Sequence, residues 1–592
     1  NIKKKINLNK LNFFQFFFVL VSFFSLVVLF VLSEFSNITV FNNSHTTKPL
    51  FYKISGTWGN HEGSLLLWLL ILTLSLFIYF LSSKSRPIKE RLLTLIFQEV
   101  IIIGFLIFII KTSNPFNQIF PIPKEGLGLN PILQDPILAI HPPVLYLGYV
   151  STSIIFSSSL ASLVQGNVNN LWAKHIKKWI FASWIFLTIG ILLGSIWAYY
   201  ELGWGGFWFW DPVENISLMP WLSLTALLHC ILVLEKRSLL SSWTIILSIS
   251  TFTLSVCGTF LVRSGILNSV HTFANDPERG LFILIFLFSL IFLSLFIFFY
   301  FHKNENKNFK FFLLSKETSI LVNNWFMMYF LSVVLIGTIY PIFLEVFTNE
   351  KISVGPPFYK KLMIPFLIPF FIFMSFGPRV KWINDKLKKI NYTQIIVFIS
   401  SLIIAYIIFT NSSVSYLFSS FLIAASIFLV LNSLRDFFSK SIQIPQKISH
   451  FSFSILILSI LLNGIYSEEF NSNMKVGDEL KFIDKTIKFK GINFDEKDNY
   501  KLLRGDFEVI DSGKNTLNFN PEIRIYNQPV ISTSEADIKT NLFNDNFIVF
   551  TLLKDNEIFN VRYQHKPFMI WIWISIIMLA FGGTLAVIKY GK

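Results

Sequence analysis

The stretch of the sequence best suited to chemistry is WGGFWFWDPVEN, which runs from Trp204 to Asn215. It combines three tryptophans with two phenylalanines and a pair of glycines, so we predict a flat, electron-rich surface that would contact a large planar ligand. The alternative is an aromatic belt at a membrane surface, where tryptophan and tyrosine commonly collect. The residues assigned to the predicted surface are Trp204, Gly205, Gly206, Trp208 and Trp210.

Two carboxylates, Asp211 and Glu214, follow the last tryptophan directly. Carboxylates at the start of a helix accept hydrogen bonds from its first N–H groups. We therefore favour a capping role for both side chains and keep general-acid catalysis as the second interpretation. Together with the three tryptophans they are the candidate catalytic residues.

Nine histidines could bind a cofactor or take part in a reaction. We divide them by their predicted depth in the apolar helices. His229 lies about 14 residues into a helix that begins near Asn215, which at 1.5 Å per residue is about 21 Å. His450 follows Lys447 by about one turn on a helix that enters from the opposite side, so both imidazoles reach a similar depth. A matched pair of histidines on two helices is an arrangement that holds haem iron from both faces. The alternative is a pair of interhelical hydrogen bonds.

A second pair of histidines, His141 and His271, lies at the level of the tryptophan stretch. His141 opens the run HPPVLYLGYV, whose two prolines suit the first turn of a helix, and His271 follows a helix on the same side. Two neutral imidazoles beside an aromatic surface predict a second haem site, open to the outer compartment. His175 and His302 fall in inner loops and are predicted to be solvated. Three further outer histidines remain alternatives, namely His45, His61 and His565.

The elements that must position these residues are membrane helices. The 592-residue chain is 53% hydrophobic, contains 68 phenylalanines and has a mean hydropathy of +0.58, which is too apolar for one soluble core. We predict an all-α polytopic membrane protein with about fourteen helices, because apolar runs of about 20 residues are long enough to span a bilayer. The runs lie near 12–33, 63–81, 93–110, 142–163, 178–198, 216–234, 241–261, 280–301, 325–347, 359–377, 393–410, 413–432, 448–465 and 568–588.

The basic residues predict the orientation of these helices. They cluster in every second connection, from Lys3–Lys5 near one terminus to Lys589 and Lys592 at the other. By the positive-inside rule these connections are cytoplasmic, so the net charge of +15 is a topology signal and no nucleic-acid partner is predicted. The outer connections are then 34–62, 111–141, 199–215, 262–279, 348–358 and 466–567.

The outer segment 466–567 differs in kind from the other connections. Strand-like runs such as GDFEVI, EIRIY and NFIVFTLL alternate with Gly, Asn and Asp turns, which predicts a small β-rich outer domain. We therefore divide the chain into a helical domain over 1–465, this β-rich domain and a last membrane helix over 568–592. The β-rich domain has no metal-binding or nucleophile motif, so we expect an interaction surface there.

Few other chemistries have support in the sequence. Cys230 and Cys257 both lie in apolar runs and are expected to be small buried side chains without redox chemistry. The sequence contains no CxxC, HExxH, EF-hand or Walker-type glycine motif.

Several ordered motifs resemble the CcmF family of cytochrome c haem lyases. The tryptophan stretch is similar to the WWD signature of membrane proteins that handle haem, and it is accompanied by WGNHEGSLLLW, LAIHPPVLYLGYV, LTALLHCILVLEKR and FLVRSGILNSVHTFA. The resemblance continues through the outer domain to VRYQHKPFMIWIWISIIMLAFGG, so it covers nearly the whole chain. Members of the family carry a further helix ahead of the one near 12–33, and we expect that segment to be missing here.

The resemblance implies two haem sites and a reaction. His229 and His450 would be the axial ligands of a permanent haem b in the membrane, and His141 and His271 would ligate the delivered haem over the Trp204–Asn215 stretch. Haem would come from a CcmE-like chaperone and be attached to the CxxCH motif of apocytochrome c, which CcmH- and CcmI-like subunits present. The inner haem is expected to reduce the delivered haem, with a quinol as the candidate electron donor.

The resemblance also implies a location and leaves one competing function. We expect a multi-pass protein of the bacterial inner membrane in contact with lipid, with the mitochondrial inner membrane as the alternative. The competing function is a membrane b-type redox protein or a haem exporter that forms no covalent bond.

Overall fold

The computed structural model describes residues 8–201, 205–263, 277–302, 312–348, 352–385, 392–410, 417–511, 516–553 and 557–591. Fourteen helices in these ranges are long and apolar enough to cross a membrane, which confirms the predicted polytopic helical fold. They are α1 (Leu8–Leu32), α4 (His61–Ser82), α5 (Ile88–Thr112), α6 (Pro136–Val164), α7 (Asn170–Tyr200), α8 (Pro212–Arg237), α9 (Ser241–Arg263), α10 (Pro277–Phe301), α11 (Lys316–Thr348), α12 (Pro356–Phe376), α13 (Tyr392–Thr410), α14 (Leu417–Asp436), α15 (Ile444–Tyr466) and α16 (Met569–Gly591).

The first connection contains two short helices that the apolar pattern does not predict, α2 (Ile38–Asn43) and α3 (Leu50–Gly56). Single 3-10 turns occur at Pro131–Leu133 and Gly377–Arg379. α2 begins where Asn37 accepts a hydrogen bond from the Val40 N–H, and such capping is a local signal that hydropathy does not report.

Between α15 and α16 the described residues form ten strands of a β-sandwich-like domain, as the alternation of strand-like runs and turns predicts. The strands are β1 (Glu468–Met474), β2 (Glu479–Phe482), β3 (Lys485–Glu496), β4 (Tyr500–Asp511), β5 (Thr516–Phe519), β6 (Glu522–Tyr526), β7 (Ser532–Glu535), β8 (Asp537–Thr540), β9 (Asn544–Leu552) and β10 (Phe559–Pro567). One sheet has the order β1-β10-β9-β8, and the other has β2-β3-β4-β6-β7 with β5 also on β4. The rings of Phe489 and Phe507 stack 4.3 Å apart in the core, and Phe550 of the facing sheet packs on both.

Small residues let the central helices α6 and α7 pack closely. A Cβ at Gly148 of α6 would lie 2.6 Å from the Leu187 backbone N, and one at Gly190 of α7 would lie 2.7 Å from Leu145 Cα. Within a bilayer such close contact replaces the hydrophobic driving force between helices. The α6–α7 pair therefore has a fixed separation on which the site below depends.

The start of α6 differs from the prediction that His141 opens this helix. α6 begins at Pro136, where Asp135 accepts a hydrogen bond from the Leu138 N–H, so the two prolines after His141 lie inside the helix. Pro143 has no N–H to donate to the Ala139 carbonyl one turn back. The Trp58 indole donates to that carbonyl instead, at 2.8 Å, and this distant donor allows the helix to continue through the prolines.

The β-sandwich-like domain docks on one end of the helical bundle, which we call the outer end. Asn499 donates to Gln134 Oε1 at 2.9 Å, Gln528 donates to the Gly126 carbonyl, and the Tyr199 hydroxyl donates to Asp545. The predicted outer connections 111–141 and 199–215 therefore share one end of the bundle with segment 466–567.

Candidate functional site

The tryptophan stretch is a short loop between α7 and α8 at the outer end, described here from Gly205 to Asp211, so that Trp204 lies outside the described residues. Asp211 and Glu214 form a capping box at the start of α8. Asp211 accepts from the Val213 N–H at 2.9 Å, and Glu214 Oε2 accepts from the Phe209 and Asp211 N–H groups at 2.9 and 3.1 Å. Both carboxylates thus have the local geometry of the capping role that we favoured.

Two residues of this loop have a left-handed backbone. Gly205 has φ +66°, a strained conformation for other residues, and a Cβ there would lie 1.5 Å from Gln564 Oε1, so a substitution would also displace the Gln564 side chain. Trp210 has φ +59°, a conformation that costs a residue with a side chain about 1–3 kcal/mol. Its neighbours must therefore hold it, and the Asn215 amide does so in part by donating to the Trp210 carbonyl at 3.2 Å.

Several polar atoms around the loop are buried without a hydrogen-bond partner among the described residues. They belong to the Trp208 indole, the second Glu214 oxygen and the amide oxygen of Gln564 from β10. Each unsatisfied buried group costs about 1–3 kcal/mol, so the loop is not optimised as a closed core. These atoms are available to hydrogen-bond a ligand or water at the loop.

His141 is held against the glycine face of α7. Its Nδ1 donates to the Gly190 carbonyl at 2.8 Å, so the neutral imidazole has its lone pair on Nε2, the nitrogen suited to a metal. A Cβ at Gly194 would lie 2.7 Å from His141 Cε1, so that glycine makes room for the ring. His271, the predicted partner of His141, lies outside the described residues.

The other outer histidines each have local partners. His61 Nε2 lies 2.9 Å from Ser113 Oγ, His45 Nδ1 lies 2.9 Å from the Thr47 hydroxyl, and His565 Nδ1 lies 3.0 Å from Asn546 Oδ1. His45 and His61 are both buried. These contacts favour structural roles and give no reason to prefer any of the three over His141.

The prediction of solvated inner loops is wrong for His175 and holds only in part for His302, which lies in the predicted connection but is partly buried. His175 is not in a loop but in the first turns of α7, half-buried, with its ring 5.5 Å from that of Tyr79. His302 follows α10 directly, stacks on Phe298 at 4.8 Å and lies 3.2 Å from Ser242 Oγ. α7 begins before its predicted apolar run, and the amphipathic His175 packs its ring against Tyr79 at that end of the helix.

His229 of α8 and His450 of α15 lie side by side within the bundle. Their ring centroids are 6.5 Å apart with 53° between the ring planes. Two imidazoles that bind one metal from opposite faces, with bonds of about 2 Å and about 1 Å from nitrogen to ring centre, have centroids about 6 Å apart. His229 Nδ1 donates to the Thr225 carbonyl at 2.9 Å, whereas His450 Nδ1 is buried with no hydrogen-bond partner among the described residues. The pair therefore fits an iron centre better than it fits a mutual hydrogen bond.

Two tryptophans pack between α7, which contacts His141, and α8, which contains His229. Trp184 of α7 and Trp221 of α8 stack with centroids 6.0 Å apart. The Trp184 indole donates to the hydroxyl of Thr225, the residue whose carbonyl binds His229, and the Trp221 indole donates to Thr188, each at 2.9 Å. Buried hydrogen bonds of this kind fix the ring orientations, so α7 and α8 form one rigid support for both histidine levels.

A carboxylate pair lies where the β-sandwich-like domain meets the loop. Glu201, which caps α7 directly before the tryptophan stretch, is hydrogen-bonded to Glu535 of β7. Burial, together with the charge and hydrogen bond of Glu535, raises the pKa of Glu201 to about 9, with Asp135 acting in the same sense and Arg524 opposing it. At neutral pH the carboxyl groups of Glu201 and Glu535 therefore share one proton where the β-sandwich-like domain meets the loop.

This raised pKa predicts that the junction weakens at high pH. A folded-state pKa above that of the unfolded chain gives a stabilisation that is complete below about pH 4.5 and is lost as the pH rises toward about 9. We expect the melting temperature of the wild-type protein to fall between about pH 6 and about pH 9, and that of Glu201→Gln to fall less. Equal pH dependence in the two proteins would contradict the assignment of the shared proton.

Comparison with known proteins identifies relatives over the whole chain. A family model described as Cytochrome C assembly protein matches residues 58–267, and one described as CcmF C-terminal beta-sandwich matches residues 465–567. The cytochrome c-type biogenesis protein ccl1 of Rhodobacter capsulatus is 38% identical over 97% of this chain and 89% of its own. CcmF of Escherichia coli K12 is 37% identical over 95% of this chain and 89% of its own. The solved structure of a cytochrome c haem lyase CcmF superposes with a TM-score of 0.79 over 97% of this chain and 91% of that one, at 22% identity, and so shares the fold.

Proposed function

Because the chain belongs to the CcmF family of cytochrome c-type biogenesis proteins, we propose that it is the haem lyase that attaches haem covalently to apocytochrome c. The observation that carries this proposal is the arrangement of two histidine levels on one support. His229 lies on α8, the helix that the tryptophan loop caps, and the ring centroid of His450 from α15 is 6.5 Å from that of His229, while His141 of α6 packs against the adjoining α7.

At the outer level the delivered haem is the substrate. His141 and His271 would hold its iron, and Trp204, Trp208 and Trp210 would form the surface under its ring, with Gly205 and Gly206 allowing close approach. Each cysteine of the CxxCH motif then adds across one vinyl group. A C–S bond forms, the vinyl double bond becomes single and the thiol proton moves to the other vinyl carbon, so the addition needs no oxidant. The protein contributes by holding thiol and vinyl together away from water.

Asp211 and Glu214 act on the loop rather than on the substrate. Their oxygens accept the N–H groups of Phe209, Asp211 and Val213, so both side chains fix the loop to the first turn of α8. We therefore assign both carboxylates a positioning role and reserve the reaction surface for the tryptophans.

At the inner level the residues fit a resident haem. A haem b held between His229 and His450 would supply electrons to the delivered haem, with a quinol as their source. Since His229 Nδ1 is bound to the Thr225 carbonyl, its Nε2 is the nitrogen suited to iron. The stacked Trp184–Trp221 pair supports α7 and α8 between the two levels.

The partners follow from the same chemistry. We expect a CcmE-like chaperone to deliver haem and CcmH- and CcmI-like subunits to present the apocytochrome at the outer end, beside the β-sandwich-like domain. The bacterial relatives and the basic inner connections favour the inner membrane, with the outer end periplasmic.

The test co-expresses the protein and its maturation partners with an apocytochrome. His141→Ala and His271→Ala are each expected to stop covalent attachment, measured as haem that stays with the cytochrome after denaturation, because the delivered haem loses an iron ligand. The spectrum of the inner haem should remain.

Normal attachment in both variants would contradict the outer site. A wild-type protein that binds and reduces haem but never yields covalent cytochrome would favour the competing redox or exporter function.

A further inference from the structure

Tyr359, which sequence reasoning did not single out, lies directly on the tryptophan loop. It belongs to the first turn of α12, far from the loop in sequence, and its side chain is 1% exposed. Its ring stacks on that of Trp210 with centroids 4.0 Å apart and 8° between the planes, the closest aromatic pair found among the described residues.

The tyrosine hydroxyl is also tied to the loop. Asn215 Nδ2 donates to it at 2.9 Å and also donates to the Trp210 carbonyl, so one amide binds both the ring partner and the backbone of the strained residue. Thr338 of α11 is a second hydrogen-bond partner of this hydroxyl. A Cβ at Gly337 would lie 2.6 Å from the hydroxyl, so α11 leaves space for it through a glycine.

These contacts hold Trp210 from two independent directions. The first turn of α8 binds the backbone on both sides of the residue through Glu214 and Asn215. α12 holds the ring through Tyr359. Trp208 packs edge-on against the same ring, with centroids 6.2 Å apart and 86° between the planes. A displaced Trp210 would therefore disturb two of the three tryptophans that face the substrate in the proposed function.

We propose that Tyr359 is a positioning residue of the outer haem site, which keeps the Trp208–Trp210 surface formed before haem arrives. The identity of the ligand in this inference rests on the proposed function. The claim that Tyr359 holds Trp208 and Trp210 in place does not. A tyrosine that only filled space in the helical core would not need a hydrogen bond to the amide that also holds Trp210.

The experiment compares Tyr359→Leu and Tyr359→Phe with a matched control, Phe371→Leu. Phe371 lies on the same helix and is fully buried, but it packs in the helical core. Hydrogen exchange of the Phe209 and Asp211 amides reports the loop without any haem. We expect Tyr359→Leu to accelerate this exchange by about tenfold, Tyr359→Phe to have a much smaller effect because the stack persists, and Phe371→Leu to leave it unchanged.

Unchanged exchange in Tyr359→Leu, or equal acceleration in the control, would overturn the proposal. Haem titration of the same proteins then separates it from the proposed function. Weaker outer haem binding in Tyr359→Leu, with the inner haem intact, supports both the role of Tyr359 and the proposed function. A wild-type protein that binds no outer haem would overturn the proposed function, whereas the exchange result would still decide the role of Tyr359.

Discussion

His229→Ala and His450→Ala are each expected to remove the low-spin haem spectrum of the purified protein. In the proposed inner site the two imidazoles, with centroids 6.5 Å apart, would both bind one iron, so loss of either would leave that iron with one histidine ligand. The remaining imidazole is half-buried in the bundle. The measurement is the reduced-minus-oxidised spectrum and the extracted haem content of protein purified from membranes.

Two controls separate ligand loss from misfolding. His175→Ala removes another half-buried histidine, on α7, which packs on Tyr79 and should leave the spectrum intact. Added imidazole should restore a low-spin spectrum in His229→Ala, because the substitution leaves a cavity of the shape of the lost ring. Wild-type spectra in both alanine variants would exclude this pair as the inner haem ligands.

The inner pair could be placed from the sequence because helix geometry is regular. A rise of 1.5 Å per residue converts positions in α8 and α15 into depths, and the basic connections set the direction of each helix. The same two rules predicted the number of spans and brought segments 111–141, 199–215 and 466–567 to one end of the bundle. Each of these inferences needs only local information along one helix.

The parts of the site that the sequence did not predict depend on distant contacts. α6 begins at Pro136 rather than at His141 because the Trp58 indole binds the carbonyl that Pro143 cannot. Tyr359 and Gln564 reach the tryptophan loop from α12 and β10, and neither has a local signal that distinguishes it from its neighbours.

A helix-packing motif in α7 is a sequence signal for the outer site. Gly190 and Gly194 form a GxxxG motif in α7, and such a pair marks a helix face that another group approaches closely. Here the approaching groups are Leu145 and the His141 ring, both from α6. The GxxxG motif therefore predicts that another group packs closely on this face of α7. It does not identify His141 as that group.

The second large expected effect is that Gly194→Ala, on this glycine face, stops haem attachment without unfolding the protein. Within a helix alanine is more favourable than glycine by about 1 kcal/mol, so propensity alone predicts a more stable α7. The new methyl group would lie 2.7 Å from His141 Cε1 and 3.2 Å from each ring nitrogen, so the imidazole must move. Its Nδ1 bond to the Gly190 carbonyl and its Nε2 direction would both change. Covalent attachment to a co-expressed apocytochrome measures the loss, and the inner haem spectrum should stay as in wild type.

Gly464→Ala is the matched control for that substitution. Gly464 is also a helical glycine, on α15, but a Cβ there meets nothing within 4 Å, so alanine should have no effect on attachment. If both alanine variants matured cytochrome normally, the close contact between Gly194 and His141 would have no role in the outer site. If Gly194→Ala lost both haems, the defect would lie in helix packing. Loss confined to the outer haem would show that Gly194, which has no side chain, helps to set the position of an iron ligand through the space that it leaves for the His141 ring.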